Sequence, residues 1–562
     1  MRKDQTGLSL LLVLASLFGT ADRAAAHPAH AKPVNYPFVV GFERFHSGMD
    51  DDDYLAEGGL ILLNELNCVA CHAPPKSLTG QLKGTVATDL TGVATRLDHL
   101  NLEILIRNPR FLKRDTTMPS LFAGPDRDLE EVKAIKHYLA TLDYQVPDYK
   151  VGDIEAGRSL YHRIGCVACH APELGYRPPG LPENVEIEMA GLPSVPMNLA
   201  DLYDLRTLTH FLLHPNEHRP SGRMPDFKLN EKEAIDLAAY LKAGPDLVLP
   251  ENLTEALTQT IPFEIDSVLV AKGRELFIGK NCSACHLLPG EKGELTRHLA
   301  RPLLELKTDQ RAGCFSDRPI GGLIPFYGLD EVQKRAISAS LVRLKTRARP
   351  DVTAEIDWRM KLMNCYACHE RGGMGGAETS REVYFGFTDE SAHALGRWGN
   401  LPPALDHVGT KLTPDWLGRV LKGEKGGGAV RPYLVARMPL FQQADVAPLI
   451  DLFPKVDQLE NAGTKRLASV FKKEASDEGK AFFRSVDAGC VRCHDAGPEK
   501  ATEWPGIDLA TSPARLQKHY FEQLIRDPQS LQPGIPMPSP VKPEDSAREI
   551  ESLWNWLKSF AQ

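Results

Sequence analysis

Several features are scarce in this 562-residue sequence. Aromatic residues make up only 7% of it, and strand-like alternation of apolar and polar residues is weak throughout. No stretch approaches the roughly 20 consecutive apolar residues needed to span a membrane. Basic charge is not in excess: 66 Lys and Arg against 74 Asp and Glu give a formal charge of −8, which argues against a nucleic-acid-binding surface. With 42% hydrophobic and 25% charged residues the composition is that of an ordinary globular chain, and the length implies roughly three to five domains. Glycine and proline are plentiful, at 45 and 42 residues, as expected where much of the chain is loop wrapped around something other than its own secondary structure.

The N-terminus reads Met1-Arg2-Lys3, an apolar stretch from Leu8 to Phe18, then Ala24-Ala25-Ala26. A positive start, a short apolar core and a small-residue cleavage site make residues 1–26 a secretory signal peptide, and export to the periplasm follows. The first cysteine is Cys68, so a lipoprotein anchor is not indicated. An exported chain with eleven cysteines would ordinarily suggest a disulfide framework. Ten of them, however, fall in five Cys-x-x-Cys-His motifs: Cys68/Cys71/His72, Cys166/Cys169/His170, Cys282/Cys285/His286, Cys365/Cys368/His369 and Cys490/Cys493/His494.

This pattern is that of covalent haem c attachment, and five haems are expected. Both thiols can add to one porphyrin edge because two intervening residues let a single helical turn present both sulfurs, while the adjacent imidazole reaches the iron. A zinc ribbon needs two cysteine pairs per metal and no His after each; a thioredoxin-like pair needs a βαβ setting that is missing.

A unit of roughly 100 residues recurs around each motif. Helix-like stretches precede the motifs at Asp53–Leu63, Ile154–Tyr161, Val270–Phe277, Ile356–Met363 and Asp477–Phe483, with glycines that would let another helix approach closely. Amphipathic segments close the units at Leu129–Leu142, Glu231–Leu241, Asp330–Leu344, Ala444–Phe453 and Glu544–Phe560. Each opening helix is expected to cross the closing helix of its own unit. Between motif and closing helix, four units carry Met-Pro: Met118-Pro119, Met224-Pro225, Met438-Pro439 and Met537-Pro538. A thioether is a soft neutral ligand suited to haem iron, and the proline fixes the local backbone.

The order of helix, Cys-x-x-Cys-His, Met-Pro loop and helix resembles the class I cytochrome c family over nearly all of the chain after Asp53. Segments such as Pro414–Leu421 resemble the large multi-haem cytochromes of planctomycetes and their relatives. The resemblance implies a mainly α fold, a tandem array of five small cytochrome c-like helical domains each wrapped around one covalent haem. The domains would be 51–146, 150–245, 262–347, 352–455 and 466–562, after an N-terminal extension at 27–50. By position it makes His72, His170, His286, His369 and His494 proximal ligands, with Met118, Met224, Met438 and Met537 distal.

The third unit departs from the pattern, with Ile324-Pro325 where Met-Pro should stand and the leftover Cys314 upstream. Three readings of haem 3 stay open. Cys314 ligates its iron as a thiolate; the iron is five-coordinate and open; or Cys314 is a buried small apolar residue beside a shielded carrier. His298 is a further distal candidate. Arg219, Arg318 and Arg431, each followed by Pro, are candidate partners of haem propionates. His210, His214 and His218 read as a polar helix end rather than a metal site, Asp50–Asp53 as a solvated acidic turn, and Lys425–Gly428 as a loop.

The function expected is electron transfer between redox-partner proteins in the periplasm. The competing reading is an enzyme, peroxidase-like or acting in thiol or sulfur oxidation, with haem 3 as reaction centre. A third is a subunit of a respiratory assembly, with Lys32–Gly48 and the spacers serving docking.

Overall fold

The computed structural model describes residues 28, 34–123, 128–142, 144–181, 183–187, 193–197, 202–243, 263–287, 300–307, 312–346, 351–385, 399, 401–424, 430–431, 434–457, 473–504, 506–540 and 546–560. The expected signal peptide, His298 and the loop at 425–428 lie outside them. The first segment contributes α1 (Val40–Phe45), α2 (Asp52–Glu65), α3 (His99–Arg107) and α4 (Leu129–Ala140), and the second α5 (Ile154–Arg163), α6 (Leu205–Leu213) and α7 (Glu231–Lys242). The third has α8 (Ser267–Gly279) and α9 (Glu331–Thr346), and the fourth α10 (Val352–Leu362), α11 (Pro414–Lys422) and α12 (Gln443–Val456). The fifth has α13 (Lys473–Arg484), α14 (Lys518–Arg526) and α15 (Ser546–Lys558). Among the described residues the only strands form a short antiparallel ribbon, β1 (Glu370–Arg371) with β2 (Met374–Gly375).

Four of the five opening helices start at an aspartate whose side chain accepts a hydrogen bond from a first-turn N–H. These are Asp51 on α2, Asp153 on α5, Asp266 on α8 and Asp351 on α10. The acidic run at Asp50–Asp53 is therefore a helix start.

In four of the five segments the opening helix meets a closing helix at a glycine, α10 having none, and the partner is not always in the same segment. A Cβ on Gly157 of α5 would lie 2.0 Å from the Asp236 carbonyl oxygen of α7, and one on Gly479 of α13 would lie 2.1 Å from the Ser552 oxygen of α15. Those pairs, like α10 with α12, are local. In contrast, Gly59 of α2 faces the Ala336 oxygen of α9 at 2.1 Å, and Gly273 of α8 faces the Ala134 oxygen of α4 at 2.0 Å. The first and third segments have exchanged closing helices. Ser340 of α9 bonds the Ala56 carbonyl of α2, and Lys280 beside α8 pairs with Glu131 of α4 at 2.6 Å. The hydrophobic cores agree: Leu62 and Val69 share one core with Leu303, Tyr327 and Ile337, while Phe277 shares another with Leu97, Val132 and Ile135. The expectation that each unit closes on its own helix therefore holds for segments two, four and five. It fails for segments one and three, because any glycine-notched helix can accept any closing helix of the same shape.

The same segments pair through their ligand loops. Ser120 and Phe326 exchange two backbone hydrogen bonds of 2.9 and 2.8 Å, and Asp226 and Leu440 exchange two of 2.9 and 2.7 Å. Each bridging residue stands two positions after Met118, Ile324, Met224 or Met438, so Ile324 occupies the methionine position of its loop. Segment five joins segment four through Thr413 to Arg515 and Gln517 to Lys411, both backbone bonds of 2.9 Å.

The N-terminal extension is spent inside this assembly. Gly41 and Phe42 of α1 are buried against α10 and α2, and Arg44 donates to the Ala168 carbonyl at 3.1 Å and to Asn364 Oδ1 at 3.2 Å. The described part of the segment expected to serve docking thus holds the first and fourth opening helices together.

A double-mutant cycle on Glu131→Gln and Lys280→Met should give a coupling of a few tenths to about 1 kcal/mol in denaturant unfolding. Zero coupling would contradict the exchanged packing of α4 and α8.

Candidate haem-attachment sites

Each motif begins on a tight turn entered through a left-handed residue. Asn67 (φ 57°), Gly165 (119°), Asn281 (65°), Asn364 (53°) and Gly489 (64°) stand immediately before the first cysteine. Only Asn and Gly adopt that conformation readily, which explains their restriction at this position. The turn then closes with the N–H of the histidine on the carbonyl of the first cysteine, from 2.9 to 3.0 Å in all five motifs.

The imidazoles share one geometry. Nδ1 hydrogen-bonds a backbone carbonyl: His72 to Arg301 at 2.7 Å, His170 to Val195 at 2.9 Å, His286 to Thr88 at 2.8 Å, His369 to Pro403 at 2.7 Å and His494 to Ile507 at 2.9 Å. A carbonyl can only accept, so Nδ1 carries the proton and Nε2 presents its lone pair, as a metal-ligating imidazole requires. Burial also favours the neutral ring, pushing His170 down to about 4 and lowering His286, His369 and His494.

For His72 and His286 the carbonyl comes from the other segment, and the backbone repeats the exchange: Ala300 N–H bonds the Cys71 carbonyl and Ala87 N–H that of Cys285, at 2.9 and 3.0 Å. Asparagine amides link the motifs as well. Asn67 donates to Cys285 Sγ at 3.1 Å, Asn281 to Cys71 Sγ at 3.4 Å and Asn364 to Cys169 Sγ at 3.2 Å. Sites one and three are neighbours, and so are sites two and four.

Burial pushes the Cys166, Cys282 and Cys365 thiols up to about 12 and Cys490 up to about 11, and raises Cys68 and Cys368 further, surroundings in which an uncharged thioether is readily accommodated.

One cavity of about 2080 Å³, mostly apolar in lining, runs past four of the motifs. It is at least twice a typical single-ligand pocket of roughly 300–1,000 Å³. Its walls include Cys166, Cys169 and His170; Cys285 and His286; Cys365, Cys368 and His369; and Cys490, Cys493 and His494. Met118, Met224, Met438 and Met537 all line it, whereas Cys68, Cys71 and His72 do not. Basic side chains reach in as well. Lys411, Arg431 and Arg515 line one part, and Lys411 is pushed down to about 7 by burial and by the two guanidinium groups. Burial, with Arg431 beside it, likewise holds Arg515 down at about 10. Among the described residues no carboxylate forms an ion pair with Lys411. A cationic cluster of this kind, with Arg515 buried and Lys411 and Arg431 half-buried, fits the carboxylates of a haem edge. Arg219 lines the cavity too, over the Phe211 ring at 5.0 Å, while Arg318 is exposed and outside it.

Cys314 is not at the third motif. It lies in the turn Gly313–Phe315, electrostatically coupled to Cys68 and Cys71, and burial raises its thiol to about 11. The departing loop thus faces the first motif, because the chain from Ala300 onward packs on α2. His210 is held by two tyrosines, Tyr144 Oη on Nε2 and Tyr149 Oη on Nδ1, both at 2.9 Å, so it is a polar anchor at the end of α6.

Comparison with known proteins agrees with this chemistry. Residues 154–244, from α5 through α7, match the cytochrome c family model, so the chain contains a cytochrome c domain, which implies covalent haem c and haem-based electron transfer. No curated protein and no solved structure matched the chain. Among the described residues no helix is long and apolar enough to cross a membrane.

At Gly489, where φ is 64°, substitution by valine should cost about 1–3 kcal/mol in thermal or denaturant unfolding, and by asparagine far less. Equal costs would contradict the shared left-handed entry.

Proposed function

We propose that the chain is a periplasmic multi-haem c-type cytochrome that carries five covalent haems and transfers electrons between redox-partner proteins. What carries this reading is the fivefold recurrence of one arrangement: a left-handed entry residue, two cysteines on a tight turn, and a histidine whose Nδ1 is pinned to a carbonyl. A covalently held haem supplies one-electron redox chemistry.

The chain's own residues do the rest. Ten cysteines, Cys68 and Cys71 through Cys490 and Cys493, hold the porphyrin edges. His72, His170, His286, His369 and His494 ligate iron through Nε2, and the carbonyl bond at Nδ1 sets ring orientation and raises ligand basicity. Met118, Met224, Met438 and Met537 are the distal ligands, and His/Met ligation raises potentials. Lys411, Arg431 and Arg515 would neutralise propionates, and the mostly apolar wall would surround the haems of the second to fifth motifs. The sulfur contacts of Asn67, Asn281 and Asn364 join sites one with three and two with four as close pairs, and segment five extends the second pair. An intact signal at residues 1–26 would deliver the chain to the periplasm, where membership of a respiratory assembly is compatible with the same role.

The intact mass of the purified protein should exceed that of the processed polypeptide by five haems, and a smaller excess would contradict the count. Lys411→Met should lower the midpoint potential of at least one haem by about 40 mV in a redox titration. That figure corresponds to about 1 kcal/mol of lost charge compensation. An unchanged or raised potential would remove Lys411 from this role.

A further inference from the structure

We propose that the haem held by Cys68, Cys71 and His72 is the one without a methionine ligand, open to a small exogenous ligand of ferrous iron, and that Met118 serves the haem held by Cys282, Cys285 and His286. This rests on the five-haem reading above and assigns ligands within it.

The exchange of segments moves the methionine. Met118 shares the cavity with Cys285 and His286, together with Thr88, whose carbonyl holds His286. The first motif receives instead the stretch that begins at Ala300. Leu303 N–H bonds the Ala73 carbonyl at 3.0 Å, and Tyr327 Oη donates to the Leu66 carbonyl at 2.7 Å, one turn before Cys68. The bridge between Ser120 and Phe326 puts Ile324 in the position that Met118 takes in its own loop. An isoleucine side chain has no lone pair to offer iron. Cys314 lies by the two cysteines of this motif, and as an iron ligand it would close the site, so the same experiment decides its role.

The test is carbon monoxide binding to the dithionite-reduced holoprotein, with haem content checked by intact mass. One carbon monoxide per chain is expected. Ile324→Met should abolish it while keeping five haems, because a thioether then occupies the open position. Met118→Ala should raise the number to two, and the second should vanish when Cys282→Ala and Cys285→Ala are added. No binding by wild-type protein with five haems would overturn the proposal, and that is the result a Cys314 ligand would give. Undiminished binding by Ile324→Met would overturn it too. So would a second carbon monoxide in Met118→Ala that survives loss of Cys282 and Cys285. Fewer than five haems by mass would instead strike the reading beneath it.

Discussion

The contact on which this molecule depends is the crossing of a glycine on an opening helix with a carbonyl on a closing helix. At Gly59, Gly157, Gly273 and Gly479 the backbones meet so closely that a methyl group would sit 2.0–2.1 Å from a carbonyl oxygen. Close-packed interiors do not absorb such an overlap, so the crossing sets the separation of the two helices and hence the frame in which four of the five Cys-x-x-Cys-His turns are held. The crossing specifies shape and not partnership. The glycine notch alone is common to these helices, and side chains around it, such as Ser340 on the Ala56 carbonyl and Arg343 beside Glu57, pair α2 with α9, so that two sites are built from two distant segments.

The exchange has consequences for chemistry. The first and third histidines are oriented by carbonyls about two hundred positions away in sequence, so neither site is complete without the other segment. The asparagines before the first cysteines reinforce the arrangement, since the left-handed turn that frees their side chains also aims them at the neighbouring motif's sulfur. Sites two and four form the corresponding pair without exchange. There Gly165 supplies the left-handed turn but no amide, and only Asn364 reaches across. Cations withdrawn from water, such as the half-buried Lys411 and the buried Arg515, are costly alone, and their clustering in an apolar cavity makes sense opposite anionic groups.

Much of this was legible in the amino-acid sequence. The five motifs are local, so their turns follow from spacing. Both helices of each unit follow from periodicity and lie within a few residues of expectation, as with Glu231–Lys242 and Gln443–Val456. The Asn or Gly before each first cysteine was also readable as a left-handed signal, since those residue types share one conformational allowance. What could not be read was partnership. Met118 follows His72 in sequence but shares a cavity with His286, and Cys314 follows His286 but lies by Cys71. If the proposed ligand assignment holds, sequence proximity misplaces both, because equivalent helices and loops compete for equivalent sites and tertiary packing chooses among them. Arg219 and Arg431 reach the cavity as recurrence implied, while Arg318 belongs to the departing loop and does not.

The exchange is tested most directly by cutting the chain once. A specific protease site introduced between residues 244 and 262 would separate the first two motifs from the last three. In a Glu57→Cys, Arg343→Cys variant, whose two positions meet across α2 and α9, the oxidised fragments should stay covalently linked in denaturant without reductant and part when reductant is added. Free fragments in denaturant after oxidation would contradict the exchanged architecture.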